Sequence, residues 1–215
     1  MGNIKDVFNA FLVEGAEFTE KYEFAKLRGF NAEPPNNLIP FDKAKRSKKH
    51  NCWVHFYLYD EYFMRIWRNP KRYLPMLKKF AGVISPDFSL YWDMPLCQQI
   101  ESVAHGRALA HWYEKNGISV IPNVRWGDER TYEFCFDGIP KNTTVAVGSH
   151  GCLQDLVTRN YFIDGLSVML ERLEPTSIVV YGYTPKDIFE SVESKGIKVS
   201  QFDNQIVSSR GKEAK

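Results

Sequence analysis

The chain has few cysteines, no long apolar run and no recognisable export signal. Its four cysteines, Cys52, Cys97, Cys135 and Cys152, form no Cys-x-x-Cys pair, which disfavours a zinc knuckle and predicts free thiols. No apolar stretch approaches the roughly 20 residues that a membrane helix needs. Residues 1–14 lack the basic start and apolar stretch of a signal peptide. These absences predict a cytoplasmic protein that has no membrane partner.

The chain also has almost no net charge. It carries 28 Lys and Arg against 26 Asp and Glu, a formal net charge of +2. A nearly neutral balance gives no general reason to expect nucleic-acid binding, so a basic patch has to be argued locally. The basic run Lys43–His50 is such a patch, and its candidate nucleic-acid contacts are Lys45, Arg46, Lys48 and Lys49. Such a run can contact phosphates, or it can be a solvated loop.

The 215 residues, 44% of them hydrophobic, are enough for one domain with a sizeable core. The pattern predicts an N-terminal helical arm over residues 1–37, a single α/β domain over 38–207 and a polar tail over 208–215. Within the arm, Ile4, Val7, Phe8, Phe11 and Leu12 recur at helical spacing.

Strands and helices alternate about every 30 residues, which favours βαβ units and a parallel sheet. An incomplete or distorted (β/α) barrel and an open doubly wound sheet both fit, and we favour the barrel-like form. A complete eight-fold barrel normally needs ~250 residues. The predicted strands cover 53–57, 81–84, 118–124, 143–147, 177–181 and 197–202, and the clearest helices cover 95–116, 161–173 and 185–195.

In parallel α/β folds, ligands bind beyond the carboxyl ends of the strands. Candidate residues lie at or just beyond the ends of the predicted strands, namely Asp87, Asn123, Arg125, Trp126, Ser149 and His150. Arginine offers a planar set of donors for a phosphate, tryptophan can stack on a base or sugar, and Gly148-Ser-His-Gly151 lets the backbone approach a ligand. The alternatives are a cation–π contact for Arg125 and a plain tight turn for Ser149 and His150.

Two candidates for catalysis are Asp87 and His55. Asp87 lies in the stiff segment Ser85-Pro-Asp-Phe-Ser89 and, with Asp93, could act as acid and base or hold a divalent cation. Helix capping is the competing interpretation for Asp93 and for Asp60. His55 alternates with apolar neighbours inside a strand, so it is expected to point into a barrel. The histidines and cysteines form no metal-binding pattern, so no metal ligand is assigned.

Several segments between Leu38 and Tyr183 recur together in a known family. They are Ile39-Pro-Phe-Asp42, Val54-His-Phe56, Trp67-Arg-Asn-Pro70, Ser85-Pro-Asp-Phe-Ser89, Asp93-Met-Pro95, Gly117-Ile-Ser-Val-Ile-Pro122, Trp126, Phe136-Asp-Gly-Ile-Pro140 and Val180-Tyr-Gly182. Through them the chain resembles a domain-of-unknown-function family found in Gram-positive bacteria, their plasmids and their phages. The resemblance implies a phage or mobile-element setting and transfers no catalytic residue.

Three functions compete at this stage. The first is a protein, enzymatic or not, that binds a nucleotide or another phosphorylated or sugar-like ligand at the strand ends. The second is a nucleic-acid-binding or host-interaction protein of a mobile element that uses the basic run. The third is a protein-binding role for the aromatic-rich N-terminal arm. We rank the first above the second, by analogy with other α/β folds.

Overall fold

The computed structural model describes Asp6, residues 8–31 and residues 33–203, and it contains seven parallel strands with helices between them. The strands are β1 (Leu38–Pro40), β2 (Trp53–His55), β3 (Gly82–Ile84), β4 (Val120–Ile121), β5 (Thr144–Gly148), β6 (Ser177–Tyr181) and β7 (Lys198–Phe202). The helices are α1 (Phe41–Ala44), α2 (Asp60–Phe63), α3 (Arg65–Arg68), α4 (Pro70–Leu77), α5 (Leu96–Lys115), α6 (Leu156–Leu173) and α7 (Lys186–Glu193). The α/β class and the alternation predicted from sequence are confirmed.

The strands lie side by side in the order in which they occur in the chain. β1 to β4 form one parallel sheet and β5 to β7 a second. An isolated parallel bridge between Asn123 and Ala146 connects the end of β4 to β5, where the Val124 amide donates to the Ala146 carbonyl at 2.8 Å. The carboxyl ends of all seven strands therefore lie at one rim.

The row of strands is curled like an incomplete barrel. Side chains from every strand meet in one inner apolar cluster, made of Leu38, Trp53, Ile84, Ile121, Ala146, Val179 and Phe202 with Phe30 and Tyr57. His55 of β2 also lies against Tyr181 of β6, with ring centroids 4.5 Å apart, although these strands are four positions apart. Among the described residues, no strand pairing joins β7 to β1, so the barrel is not closed.

The helices cover the outer face of the strands, where the alternate side chains form two larger apolar clusters. β5 and β6 consist almost wholly of buried residues, as expected for strands covered on both faces. Helix α6 begins five residues before the predicted start, because Asp155 caps it by accepting from the Val157 and Thr158 amides. Strand β1 has only three residues and was not predicted.

The N-terminal segment packs on this body. Its described part contains a 3-10 helix over Ala10–Val13, where Leu12 is fully buried, and an antiparallel bridge between Phe18 and Ala25. Ile4, Val7 and the predicted tail 208–215 lie outside the described residues, so the predicted domain limits stay a prediction. Within the described ranges, no helix has the length and apolar character to cross a membrane.

Candidate ligand site at the strand ends

A cavity of about 710 Å³ opens at the rim formed by the carboxyl ends of the strands. Its size falls in the range typical of small-molecule sites. The lining comes from the segments that follow the first five strands and from the end of β6. It includes the predicted residues Asp87, Arg125, Trp126 and His150, together with Asp42, Lys43, Tyr57, Tyr59, Tyr62, Tyr91, Trp92, Cys152, Tyr161 and Tyr181. Polar residues far apart in sequence therefore share one cavity.

Asp87 is the centre of a hydrogen-bond network at the wall of this cavity. Its carboxylate accepts from Asn123 Nδ2 at 2.8 Å and from Arg125 Nη1 at 2.7 Å. The Asp87 side chain is only 9% exposed, while that of Arg125 is 29% exposed. Burial raises the pKa of Asp87, and the opposing effects of Arg125 and Asn123 lower it. The network thus fixes the guanidinium at the cavity wall.

Other contacts orient the same network from both sides. The Tyr57 hydroxyl donates to Asn123 Oδ1 at 2.8 Å, and the backbone N–H of Asn123 donates to Ser85 Oγ at 2.7 Å. Arg125 Nε donates to the Leu90 carbonyl at 3.1 Å. Among the described residues, no hydrogen bond uses Arg125 Nη2, so this group remains a donor for a ligand.

His55 lies beneath the cavity, inside the curled sheet. It is fully buried, and its Nδ1 accepts from the Tyr57 amide at 3.3 Å. Its Nε2 has no hydrogen-bond partner among the described residues. Burial, with a smaller contribution from Lys43, lowers the pKa of His55 to about 3. The imidazole is therefore neutral near pH 7. It lies against Tyr57 and Tyr181, whose rings stack on each other and line the cavity.

Trp126 is held between a strand end and helix α6. Its Nε1 donates to the Tyr161 carbonyl at 3.0 Å. A Cβ on Gly165 would lie 2.1 Å from that nitrogen, so only glycine permits this approach of helix and indole. The indole contributes one edge to the cavity and packs the rest against Phe136 and Phe162.

The turn after β5 places its two candidate residues differently. Ser149 is buried, and its hydroxyl donates to the Tyr183 carbonyl at 2.7 Å, which ties this turn to the loop after β6. His150 is exposed and lines the cavity together with Gly148 and Gly151. The structure therefore brings His150, but not the Ser149 hydroxyl, to the cavity lining.

Sequence reasoning missed an aromatic rim. Tyr59 is 71% exposed, and Tyr62, Tyr91 and Trp92 are 40–49% exposed, although aromatic residues are usually largely buried. The Tyr91 ring lies 5.3 Å below the Arg125 guanidinium. Only Tyr59 lies close to a predicted strand end, and Tyr62, Tyr91 and Trp92 lie five to eight residues beyond the predicted ends, so the sequence contains little signal for this rim.

The prediction that Asp60 caps a helix is wrong, because its carboxylate bonds to Ser89 in the loop after β3 instead. It accepts from the Ser89 amide at 3.2 Å and from the Ser89 hydroxyl at 2.9 Å, which joins the start of α2 to the loop after β3. Asp93 is not the cap of α5 either, because Pro95 occupies that position and makes no side-chain cap bond.

The basic run extends away from the cavity. Lys43 lines the cavity, whereas Lys45, Arg46, Lys48 and Lys49 are exposed and do not. The Ala81 amide donates to the His50 carbonyl at 3.0 Å, which places the end of the run beside the start of β3. The run therefore passes from the carboxyl ends of the strands to their amino ends.

Within the described part of the chain, no group of three His, Cys, Asp or Glu side chains is placed to hold a metal ion. Both carboxylate oxygens of Asp87 already accept hydrogen bonds from protein groups. A divalent cation near Asp87 would therefore have to compete with the Arg125 guanidinium.

Comparison with known proteins gives the family. The chain is 36% identical over 174 residues to the Gene 1 protein of Mycobacterium phage L5, a match that covers 77% of this chain and 73% of the phage protein. It is also 36% identical over 129 residues to the Gene 1 protein of Mycobacterium phage D29, a match that covers 60% of this chain and about half, 48%, of the phage protein. No solved structure matches. These relatives confirm the phage setting expected from the sequence motifs. Residues 16–203 match the family described as domain of unknown function DUF4417, and the chain therefore belongs to that family.

Proposed function

We propose that the cavity at the strand ends binds a nucleotide or a related small ligand that combines a phosphate with a ring or sugar. The observation that carries the proposal is the Arg125 guanidinium, oriented at the cavity wall by Asp87 and surrounded by aromatic side chains. The phosphorylated and sugar-like ligands predicted from the sequence would use the same two features, a guanidinium for a phosphate and aromatic rings for a ring or sugar.

The phosphate would bind at Arg125. Its Nε and Nη1 donate to the Leu90 carbonyl and to Asp87, which leaves Nη2 as a donor for the phosphate. The Arg125 side chain is 29% exposed. Lys43 lines the same cavity and adds a second positive charge. Because the Asp87 ion pair restrains the guanidinium before binding, little side-chain entropy is lost when the anion is bound.

The ring would bind against the aromatic rim. Tyr59 lies in the loop after β2, Tyr62 lies in helix α2, and Tyr91 and Trp92 come from the loop after β3. Stacking of a base on such side chains contributes roughly 1–3 kcal/mol per base. The Asp60–Ser89 bonds hold α2 and the loop after β3 together, so the rim is preorganised for a planar group.

Isothermal titration with ATP, GTP, AMP and ribose 5-phosphate, each with and without Mg²⁺, tests the proposal. We expect at least one probe to bind with a Kd below 1 mM, and Arg125→Lys to weaken that binding by about tenfold because lysine keeps the charge and loses the planar fork. The matched control is Arg46→Lys, an exposed arginine outside the cavity.

A second pair of variants tests the rim. Trp92→Ala should weaken binding of nucleotides by at least fivefold, as the lower estimate of base stacking implies, and leave binding of ribose 5-phosphate unchanged. Tyr183→Ala, an exposed aromatic that does not line the cavity, should leave both unchanged. Absence of binding by every probe at 1 mM, or equal affinities for the wild type and the cavity variants, would remove the proposal.

A further inference from the structure

The positive charge of the chain is concentrated in one segment. Residues 43–79 contain eleven Lys and Arg but only two acidic residues, Asp60 and Glu61, whereas the rest of the chain contains 17 basic and 24 acidic residues. The nearly neutral net charge of the chain is therefore the sum of a strongly basic segment and an acidic rest of the chain. This asymmetry extends well beyond the run Lys43–His50.

Ten of these cations are exposed on the surface. They are Lys45, Arg46, Lys48, Lys49, Arg65, Arg68, Lys71, Arg72, Lys78 and Lys79, and together we call them the basic face. Within the part of the chain that the structure describes, none of the ten forms an ion pair with a carboxylate. Asp60, one of the two acidic residues in the segment, is bonded to Ser89.

Contacts between the underlying elements place these cations on one side of the molecule. Arg65 lies 5.2 Å from the ring of Phe41, which connects α3 to α1. Phe41 in turn packs on Tyr73 of α4, with ring centroids 5.4 Å apart. Both rings belong to the apolar cluster outside β1 to β3.

The end of the run Lys43–His50 lies beside the residues that follow the segment. The rings of His50 and Phe80 lie 5.0 Å apart, and the Ala81 amide donates to the His50 carbonyl at 3.0 Å. Lys48 and Lys49 therefore lie close in space to Lys78 and Lys79. The loop after α1, helices α3 and α4, and the loop after α4, which carry the ten cations, are thus connected to one another by direct contacts.

We infer that the basic face binds the phosphate backbone of a nucleic-acid duplex. Surface cations that have no carboxylate partner repel one another. Binding of a polyanion neutralises them and relieves this repulsion, so such binding is favourable. A duplex presents regularly spaced phosphates over an area that several helices can contact. The binding would be independent of sequence and would weaken as salt is added.

An anionic membrane is the competing polyanion, and the surface composition disfavours it. Peripheral membrane binding uses large apolar side chains that insert beside the basic ones. The exposed large hydrophobic residues of the segment 43–79 are Tyr59 and Tyr62, and both line the cavity. The segment itself therefore offers charge without an apolar anchor. One exposed apolar side chain, Phe8, lies beside it, because its neighbour Asn9 donates to the Trp67 carbonyl.

Fluorescence anisotropy with a labelled 20-base-pair DNA duplex tests the inference on the full chain. We expect binding in 50 mM salt whose log affinity falls linearly with log salt concentration. The combined variant Lys48→Gln, Lys49→Gln, Lys78→Gln and Lys79→Gln should weaken binding at least tenfold. It should also reduce the salt slope by about one for each lysine that contacts a phosphate.

The matched control removes the same charge elsewhere. It combines Lys26→Gln, Lys141→Gln, Lys186→Gln and Lys195→Gln, which are all exposed and outside the segment. Equal weakening by the two combined variants would overturn the inference, because only net charge would then matter. Absence of duplex binding in 50 mM salt, or binding of phosphatidylserine vesicles without binding of the duplex, would also overturn it. Circular dichroism spectra confirm that both variants are folded.

Discussion

The cavity and the basic face handle charge in opposite ways. At the cavity, Asp87 is buried and its carboxylate is paired with Arg125 and Asn123 inside the chain. On the basic face, ten cations are exposed and none is paired with a carboxylate of the described residues. A buried charge must be paired because desolvation is costly, whereas an exposed charge is stabilised by water. Paired buried charge therefore defines geometry, and unpaired exposed charge remains available to a partner.

Removing the buried carboxylate should have the largest effect on stability. Asp87→Ala leaves the Arg125 guanidinium without its counter-charge and Asn123 Nδ2 without its acceptor, which should lower the free energy of unfolding by about 3 kcal/mol. Urea denaturation followed by circular dichroism measures the change.

The control for this variant is Asp93→Ala, in which an exposed carboxylate six residues away is removed. We expect its effect to stay within about 0.5 kcal/mol. Equal decreases in the free energy of unfolding for the two variants would contradict the prediction that the buried, paired carboxylate contributes more than an exposed one.

Lowering the pH should decrease the free energy of unfolding, because His55 is buried in its neutral form. The pKa of about 3 in the folded chain lies below the ordinary histidine pKa of 6.5, so below pH 6.5 the unfolded chain takes up a proton that the folded chain does not. The stabilisation from the neutral imidazole is complete above pH 6.5 and is lost as pH falls toward 3. Between pH 7 and pH 5 the loss should be about 2 kcal/mol.

Urea denaturation at pH 7 and pH 5 for the wild type and His55→Phe measures this contribution. Phenylalanine keeps a ring against Tyr181 and cannot titrate. Burial also lowers the pKa values of His105 and His111, but their effect is common to both proteins and cancels in the difference. A pH dependence in His55→Phe equal to that of the wild type would contradict the prediction. The control is His150→Gln, which replaces an exposed histidine.

Neutralising the basic face should have the smallest effect on stability. The combined variant at Lys48, Lys49, Lys78 and Lys79 should change the free energy of unfolding by less than about 1 kcal/mol, and the relief of repulsion favours a small increase. Thermal unfolding in low and high salt measures it. A large destabilisation would mean that these lysines support the fold and would remove the contrast with the cavity.

Local patterns in the sequence predicted the elements with strong signals. β6 covers Ser177–Tyr181 as predicted, and α5 covers Leu96–Lys115 within the predicted 95–116. Long helices and buried apolar strands leave a clear periodicity. β1 has three residues and β4 has two, too few for any periodicity, so β1 was missed and β4 was predicted too long.

The candidate site was predicted in part. Asp87, Arg125, Trp126 and His150 line one cavity because parallel strands bring their carboxyl ends together. The aromatic rim and the Asp60–Ser89 bond were not predicted, because exposure of a tyrosine and the pairing of a helix start with a loop depend on contacts distant in sequence. The same reason explains why Asp60 was expected to cap a helix.

The sequence by itself determined the alternation of strands and helices, the family, and the uneven distribution of charge along the chain. These are properties of composition and local order, and they can be read without a fold. Only the tertiary structure decided that the strands curl until β2 touches β6, that Asp87 pairs with Arg125, and that His50 lies against Phe80. Such contacts depend on how the chain buries apolar surface as a whole, and no local pattern specifies them.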